Sequence, residues 1–207
     1  MKNKVFYRAT RAYAALCAVA VCLSTGIFVA IAASNGFNGA VFTTHSDGNA
    51  VNENIYLAPT DVYINGGPNN ANSEGLPPNE LFYFEVTDPS GKVLLSSDPA
   101  SCRQVQTDAN GRVFGSYAGD GCLHNVGTID ASNGGLPVSL WPFRRTPNNG
   151  NEYKVVLVRK TAPGVSVESD GHHLDYPRSA TKTDNFKVVT FPSPTPSPTP
   201  IDPGPST

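Results

Sequence analysis

Apolar and polar side chains alternate with a period of two through residues 81–87. Phe82, Phe84 and Val86 fall on one side, and Tyr83, Glu85 and Thr87 on the other, as in a strand with one face turned to a core. Asp88-Pro89-Ser90-Gly91 follows: Asp bonds its own backbone, Pro presets φ and Gly closes a type I turn. Residues 92–96 then read as the returning arm of a hairpin. A lone hairpin is marginal in water, so other strands have to cover Phe82, Phe84 and Val86.

The same alternation recurs along the chain. Residues 54–57 pair Ile55 with Leu57 on one face, and residues 61–64 pair Val62 with Ile64, before Asn65-Gly66-Gly67-Pro68 reads as a stop. Residues 102–107 and 112–117 flank Asp108-Ala109-Asn110-Gly111, a second hairpin signal. Leu136, Val138 and Leu140 alternate beside Trp141-Pro142-Phe143, which reads as an aromatic plug of the core. Residues 152–160 set Tyr153, Val155 and Leu157 against Lys154, Val156, Val158 and Lys160, a mixed and half-exposed side. Residues 186–191 read as the last strand, and residues 40–42 as an edge strand. Residues 161–185 are polar, a long connection with one edge strand at 165–168.

Helical periodicity is missing beyond the first 33 residues. Short strands broken by Gly, Pro, Asn and Asp predict an all-β domain over residues 51–191, an antiparallel β-sandwich of Ig-like or prealbumin-like type, with a lead-in segment over residues 34–50. Lys2, Lys4, Arg8 and Arg11 precede an apolar run over residues 12–33 that ends near Ala30-Ile31-Ala32. This is the pattern of a helical signal peptide over residues 1–33, and the run also has the length of an uncleaved membrane anchor. Residues 192–207, PSPTPSPTPIDPGPST, predict a disordered spacer of polyproline II type, because proline offers a sheet no donor. The chain is therefore expected to be secreted or at the cell surface, touching a membrane only through its N-terminal segment.

Charge narrows the partners. The 207 residues carry a net charge of −2, and residues 1–33 hold four of the 15 basic residues and no acidic one. Without them 11 basic residues face 17 acidic ones, a balance of −6, which excludes the basic stripe that a nucleic-acid partner requires. Of the four cysteines, Cys17 and Cys22 lie in the apolar run, leaving Cys102 and Cys122. An exported pair of this kind predicts a disulfide contributing about 3 kcal/mol in the chain-entropy model.

Candidate chemistry is sparse. No Gly-x-Ser-x-Gly elbow, His-Glu-x-x-His or phosphate-cradling glycine loop occurs, so no catalytic residue is assigned and no cofactor is implied. Asp108, Asn110 and Asp120 offer oxygen ligands for calcium, although Asx turns account for the same residues. His172 and His173 are adjacent, and neighbouring side chains of extended backbone point to opposite faces, which works against a shared metal. His45 and His124 read as isolated loop residues. Lys92 or Lys154 with an asparagine and a nearby Glu such as Glu85 has the residue types of an internal isopeptide bond. Tyr63, Tyr83 and Trp141, with Tyr56 and Tyr153, are candidates for stacking on sugar rings, against core packing as the plainer use.

One resemblance bears on these readings. The Leu76-Pro77-x-Asn79-x-Leu-x-Tyr83 approach to a strand resembles the Leu-Pro-x-Gly-x-Tyr pattern of collagen-adhesin B-type and related prealbumin-like modules of bacterial surface proteins. Val51-Asn52-x-Asn54-Ile55-Tyr56, Asp61-Val62-Tyr63-x-Asn65-Gly66-Gly67-Pro68, Val86-Thr87-Asp88-Pro89-Ser90-Gly91, Thr146-Pro147-Asn148 with Glu152-Tyr153-Lys154-Val155, and Lys182-Thr183-Asp184-Asn185-Phe186-Lys187-Val188 are similar to landmarks of an uncharacterised family of large secreted bacterial proteins. In that family such a region precedes serine-aspartate-repeat-type B modules, and some B-type modules contain an internal isopeptide bond. Asn79 stands where the pattern has Gly, a mild change because Asn tolerates left-handed backbone. The resemblance implies a noncatalytic module with a structural or adhesive role, meeting a cell-wall or extracellular protein or a glycan. A carbohydrate-binding module is the first rival. A secreted glycosidase-like enzyme is the second and needs two carboxylates facing each other across a cleft.

Overall fold

A computed structural model describes residues 36–49, 53–68, 72–117 and 122–191. The signal segment, the proline-rich tail and Asp120 lie outside the described residues. Among the described residues there is no α-helix, and eleven strands occur: β1 Ala40–Thr44, β2 Ile55–Tyr56, β3 Tyr63–Gly67, β4 Leu81–Thr87, β5 Gln104–Thr107, β6 Val113–Ser116, β7 Val138–Ser139, β8 Glu152–Arg159, β9 Ser166–Val167, β10 Leu174–Asp175 and β11 Thr181–Val188.

Six strands form one sheet in the order β2-β11-β8-β4-β5-β6, three form a second in the order β1-β3-β7, and β9 with β10 makes a separate hairpin. All pairings are antiparallel except β2 with β11, which run parallel with Ile55 opposite Lys187 and Tyr56 opposite Val188. The large sheet is therefore mixed rather than purely antiparallel. Its centre is the pair β4–β8, with Phe84 opposite Leu157 and Val86 opposite Val155. These four side chains are fully buried, in one cluster with Val105, Val113, Tyr153 and Phe186 of the same sheet and Ile64 and Val138 of the smaller sheet. The alternation along residues 81–87 thus marks the core face as expected. Asp184 of β11 ties the two sheets together: its Oδ2 accepts from the backbone N–H of Thr43 at 2.7 Å and from its hydroxyl at 3.0 Å.

Several expectations are corrected. Residues 92–96 return along the end of β4 but form no regular strand: they make isolated bridges, Thr87 with Leu94 and Ser96 with Phe143, and both the Leu95 and the Ser96 N–H donate to Val86 O, while β5 pairs with the same edge of β4 over Leu81, Phe82 and Tyr83. The Asp88–Gly91 turn itself closes, with the Gly91 N–H donating to Asp88 O at 2.9 Å. Asn65-Gly66-Gly67 does not stop a strand but completes β3. A Cβ on Gly66 would come within 2.8 Å of Ala40 O, so the glycine is what lets β1 lie this close. β11 begins at Thr181, five residues ahead of the expected start, and ends at Val188. The outward side of β8 is not half exposed, since Val156 and Val158 are buried. A second small cluster covers them, formed with Tyr83, Ala100, Leu174 and Ala180. The polar connection after β8 folds back as the β9–β10 hairpin and a 3-10 turn at Arg178–Ala180, laying Leu174 and Ala180 over the sheet. β4 is consequently buried on both faces, Tyr83, Glu85 and Thr87 included.

Candidate functional site

The second layer encloses charge. Arg103 follows a tight turn in which the Cys102 N–H donates to Pro99 O at 3.0 Å and the Arg103 N–H to Ala100 O at 3.2 Å. Its side chain is fully buried. Nη1 donates to Phe84 O at 3.2 Å and lies 3.6 Å from Glu85 Oε1, Nη2 donates to His172 O, and Nε lies 3.9 Å from Asp98 Oδ1. Tyr176, just past β10, donates its hydroxyl to Glu85 Oε2 at 3.0 Å. Asp98 Oδ2 is 2.9 Å from Nε2 of His124, whose Nδ1 lies 2.7 Å from Ser139 O and whose ring meets Phe84 edge-on. The Cys102–Cys122 disulfide, with 5.2 Å between its Cα atoms, fastens both chain segments of this network beside the charged groups.

Electrostatics match the geometry. Burial pushes the Glu85 carboxyl above its usual range although Arg103 pulls the other way. Burial likewise lowers Arg103, against the attraction of Glu85 and Asp98. Tyr176 is raised by burial and then by the Glu85 charge. For Glu85 and Arg103, desolvation outweighs pairing. Glu85 and Asp98 both turn toward one guanidinium, while Asp98 Oδ1 and Arg103 Nε, 3.9 Å apart, are buried with no hydrogen-bond partner among the described residues.

The histidine pair diverges in a bend just ahead of β10. His172 turns inward, its Nδ1 3.2 Å from Asp98 O, while His173 turns outward to Asp170. Glu168, Asp170 and His173 bring three potential ligand atoms within 4.8 Å of one another at the exposed tip of the β9–β10 hairpin, a grouping the sequence reading passed over in favour of Asp108, Asn110 and Asp120. There the Asp170 carboxylate accepts the backbone N–H groups of His172 and His173, and the His173 ring holds it well below the usual carboxylate range. The Asp108 carboxylate accepts from the N–H groups of Asn110 and Arg112 and from Arg112 Nε, which is the Asx-turn use of that residue.

The sugar-stacking candidates do not share a face. Tyr56 and Tyr153 are fully buried, and Tyr83 is buried, with Lys160 Nζ 5.1 Å from the Tyr83 ring centroid. Tyr63 is half-buried. Of the plug, Phe143 is buried against Tyr153 and Phe186, whereas Trp141 stays 38% exposed at its rim. Sequence reading missed Arg103 and the exposed rings Phe114 and Tyr117. An arginine directly after a disulfide cysteine was the available signal for the first. For Phe114 it was an aromatic between Val113 and Gly115, which keep the core parity and leave it on the outer face.

No protein-family model, curated protein or solved structure matches the chain.

Proposed function

We propose that the chain is a noncatalytic module with a structural or adhesive role outside the cytoplasm, secreted or held at the cell surface. In this reading the two sheets are the layers of an Ig-like or prealbumin-like β-sandwich, related to the B-type modules of bacterial surface proteins. The observation that carries it is the Cys102–Cys122 disulfide set against the buried Arg103 network. Such a bond persists in oxidising compartments. Here it fixes the segments that bring Arg103, Asp98 and His124 together, so this chemistry serves to hold loops in place. The basic, apolar start of the sequence points to the same compartment.

Fractionation of a bacterium expressing the full chain, with thiol alkylation before and after reduction, tests this. The expected result is an extracytoplasmic protein whose Cys102 and Cys122 are alkylated only after reduction. A cytoplasmic protein with both thiols open from the outset overturns it.

A further inference from the structure

The far edge of the large sheet carries a surface that neither the core nor the Arg103 network uses. Between β5 and β6 the register slips: Gln106 pairs with Gly115, and Thr107 with Val113. Phe114 is the extra residue of a bulge, a device that re-aims side chains at sheet edges. Its ring is 51% exposed, and Tyr117, three residues on, is 39% exposed. Both line an open hollow of about 440 Å³ whose wall includes Asn79, Glu80, Gln106 and Asp108.

The polar groups of the hollow divide into two kinds. Its carboxylates are taken: Glu80 accepts from Arg159 and Thr161, and Asp108 from Arg112 and two backbone N–H groups. Both have the low carboxyl pKa of a paired acid. The side-chain amides of Asn79 and Gln106, by contrast, have no hydrogen-bond partner among the described residues, and each offers both donors and an acceptor. Two exposed rings, two free amides and neutralised acids call for a ligand that is uncharged, presents an apolar C–H face to an aromatic ring, and carries hydroxyls that donate and accept side by side.

We propose that this hollow binds a neutral glycan, with Phe114 and Tyr117 as the stacking platform and Gln106 and Asn79 bonding the ring hydroxyls. The proposal rests on the reading of the chain as an exported adhesive module and names the chemistry of its partner. A proline-rich peptide also suits aromatic grooves, but each proline lacks the N–H donor, so it offers the acceptor half of the amides fewer donors than a ring of hydroxyls does. The glycan uses both halves.

The test is affinity electrophoresis of the full chain through gels containing laminarin, galactomannan or xylan, with heparin and the peptide PSPTPSPTPIDPGPST as counter-probes. Retardation by at least one neutral polysaccharide is expected. It should weaken about tenfold or more in Phe114→Ala and in Tyr117→Ala, weaken in Gln106→Ala, and stay unchanged in Leu57→Ala on the opposite edge. Phe114 is exposed and Gln106 half-buried at the sheet edge, so thermal melts of these variants should match wild type; should Phe114→Ala melt early, Gln106→Ala alone decides. Silence on all three polysaccharides, binding only of heparin or the peptide, or wild-type retardation of the variants overturns the proposal. If the protein is exported and oxidised yet silent, this inference alone fails. If it stays reduced in the cytoplasm, the reading beneath it fails too.

Discussion

Nη1 of Arg103 lies 3.6 Å from Oε1 of Glu85, with the arginine side chain fully buried and the glutamate 6% exposed. Two opposite charges this far from water attract strongly, yet each has surrendered its hydration, and the upward shift of Glu85 with the downward shift of Arg103 shows which effect is larger. Removing one partner leaves the other charge stranded. Arg103→Met is therefore expected to cost about 3–5 kcal/mol, read as a fall in the urea midpoint. Arg103→Met with Glu85→Gln should cost clearly less than the two single changes added together. Additive costs would mean that the pair is not coupled.

The disulfide joins cysteines 20 residues apart. Cys102→Ser with Cys122→Ser should cost about 3 kcal/mol and lower the melting temperature by about 6–12 °C. Calorimetry with and without reductant checks this, and equal melting in both conditions would count against it.

Phe84 is fully buried on β4 and meets His124 at 4.9 Å between ring centroids. Phe84→Ala should cost about 3–5 kcal/mol. Ile55, 61% exposed on β2, should tolerate Ala within about 0.5 kcal/mol. Chemical denaturation of both variants tests the contrast, which separates the inward and outward faces of the same sheet.

Stability should fall in acid for a nameable reason. Burial alone would raise the Asp88 carboxyl, but its hydrogen bonds from the Ser90 hydroxyl and from the N–H groups of Val93 and Lys92 bring it down to about 2, from 3.8 when unfolded. A depressed acid supports the fold above its unfolded value and loses that support as pH drops through the folded one. Asp88→Asn should therefore flatten the decline of stability between about pH 4 and about pH 2. Glu85 runs the other way: its raised carboxyl contributes fully below 4.5 and loses that contribution as pH rises. A denaturant midpoint measured against pH for wild type and Asp88→Asn decides, and parallel curves would refute the assignment.

β4 and β8 were legible in the sequence because each carries an unbroken apolar face: Phe82, Phe84 and Val86 on one, Tyr153, Val155 and Leu157 on the other. The disulfide was legible from the count: with Cys17 and Cys22 in the apolar run, Cys102 and Cys122 are left as one pair. The second layer was not, because the connection after β8 contributes Leu174 and Ala180, with Ala162, Val165 and Tyr176 packed beside them, and apolar residues scattered this widely through a polar stretch carry no period. Arg103 was hidden by its type, since arginine is ordinarily exposed and only three-dimensional packing places Glu85, Asp98 and two carbonyls around it. β3 was cut short because Gly66 and Gly67 usually break strands, whereas here their missing side chains are what the neighbouring backbone requires. The aromatic hollow escaped notice because Phe114 and Tyr117, three residues apart, have opposite parity in an alternating strand and yet are both exposed.

The large sheet ends on one side in β2, only two residues long. On the other side β6 is partly capped, with the Val113 carbonyl taken by the Leu136 N–H and the Ser116 hydroxyl by the His124 N–H. A protein made almost wholly of extended chain would otherwise recruit copies of itself wherever a bare border ran for many residues. Here a ribbon seeking to grow meets a stub at one margin and a fence at the other, so crowding should leave the molecules separate rather than zipped into fibrils.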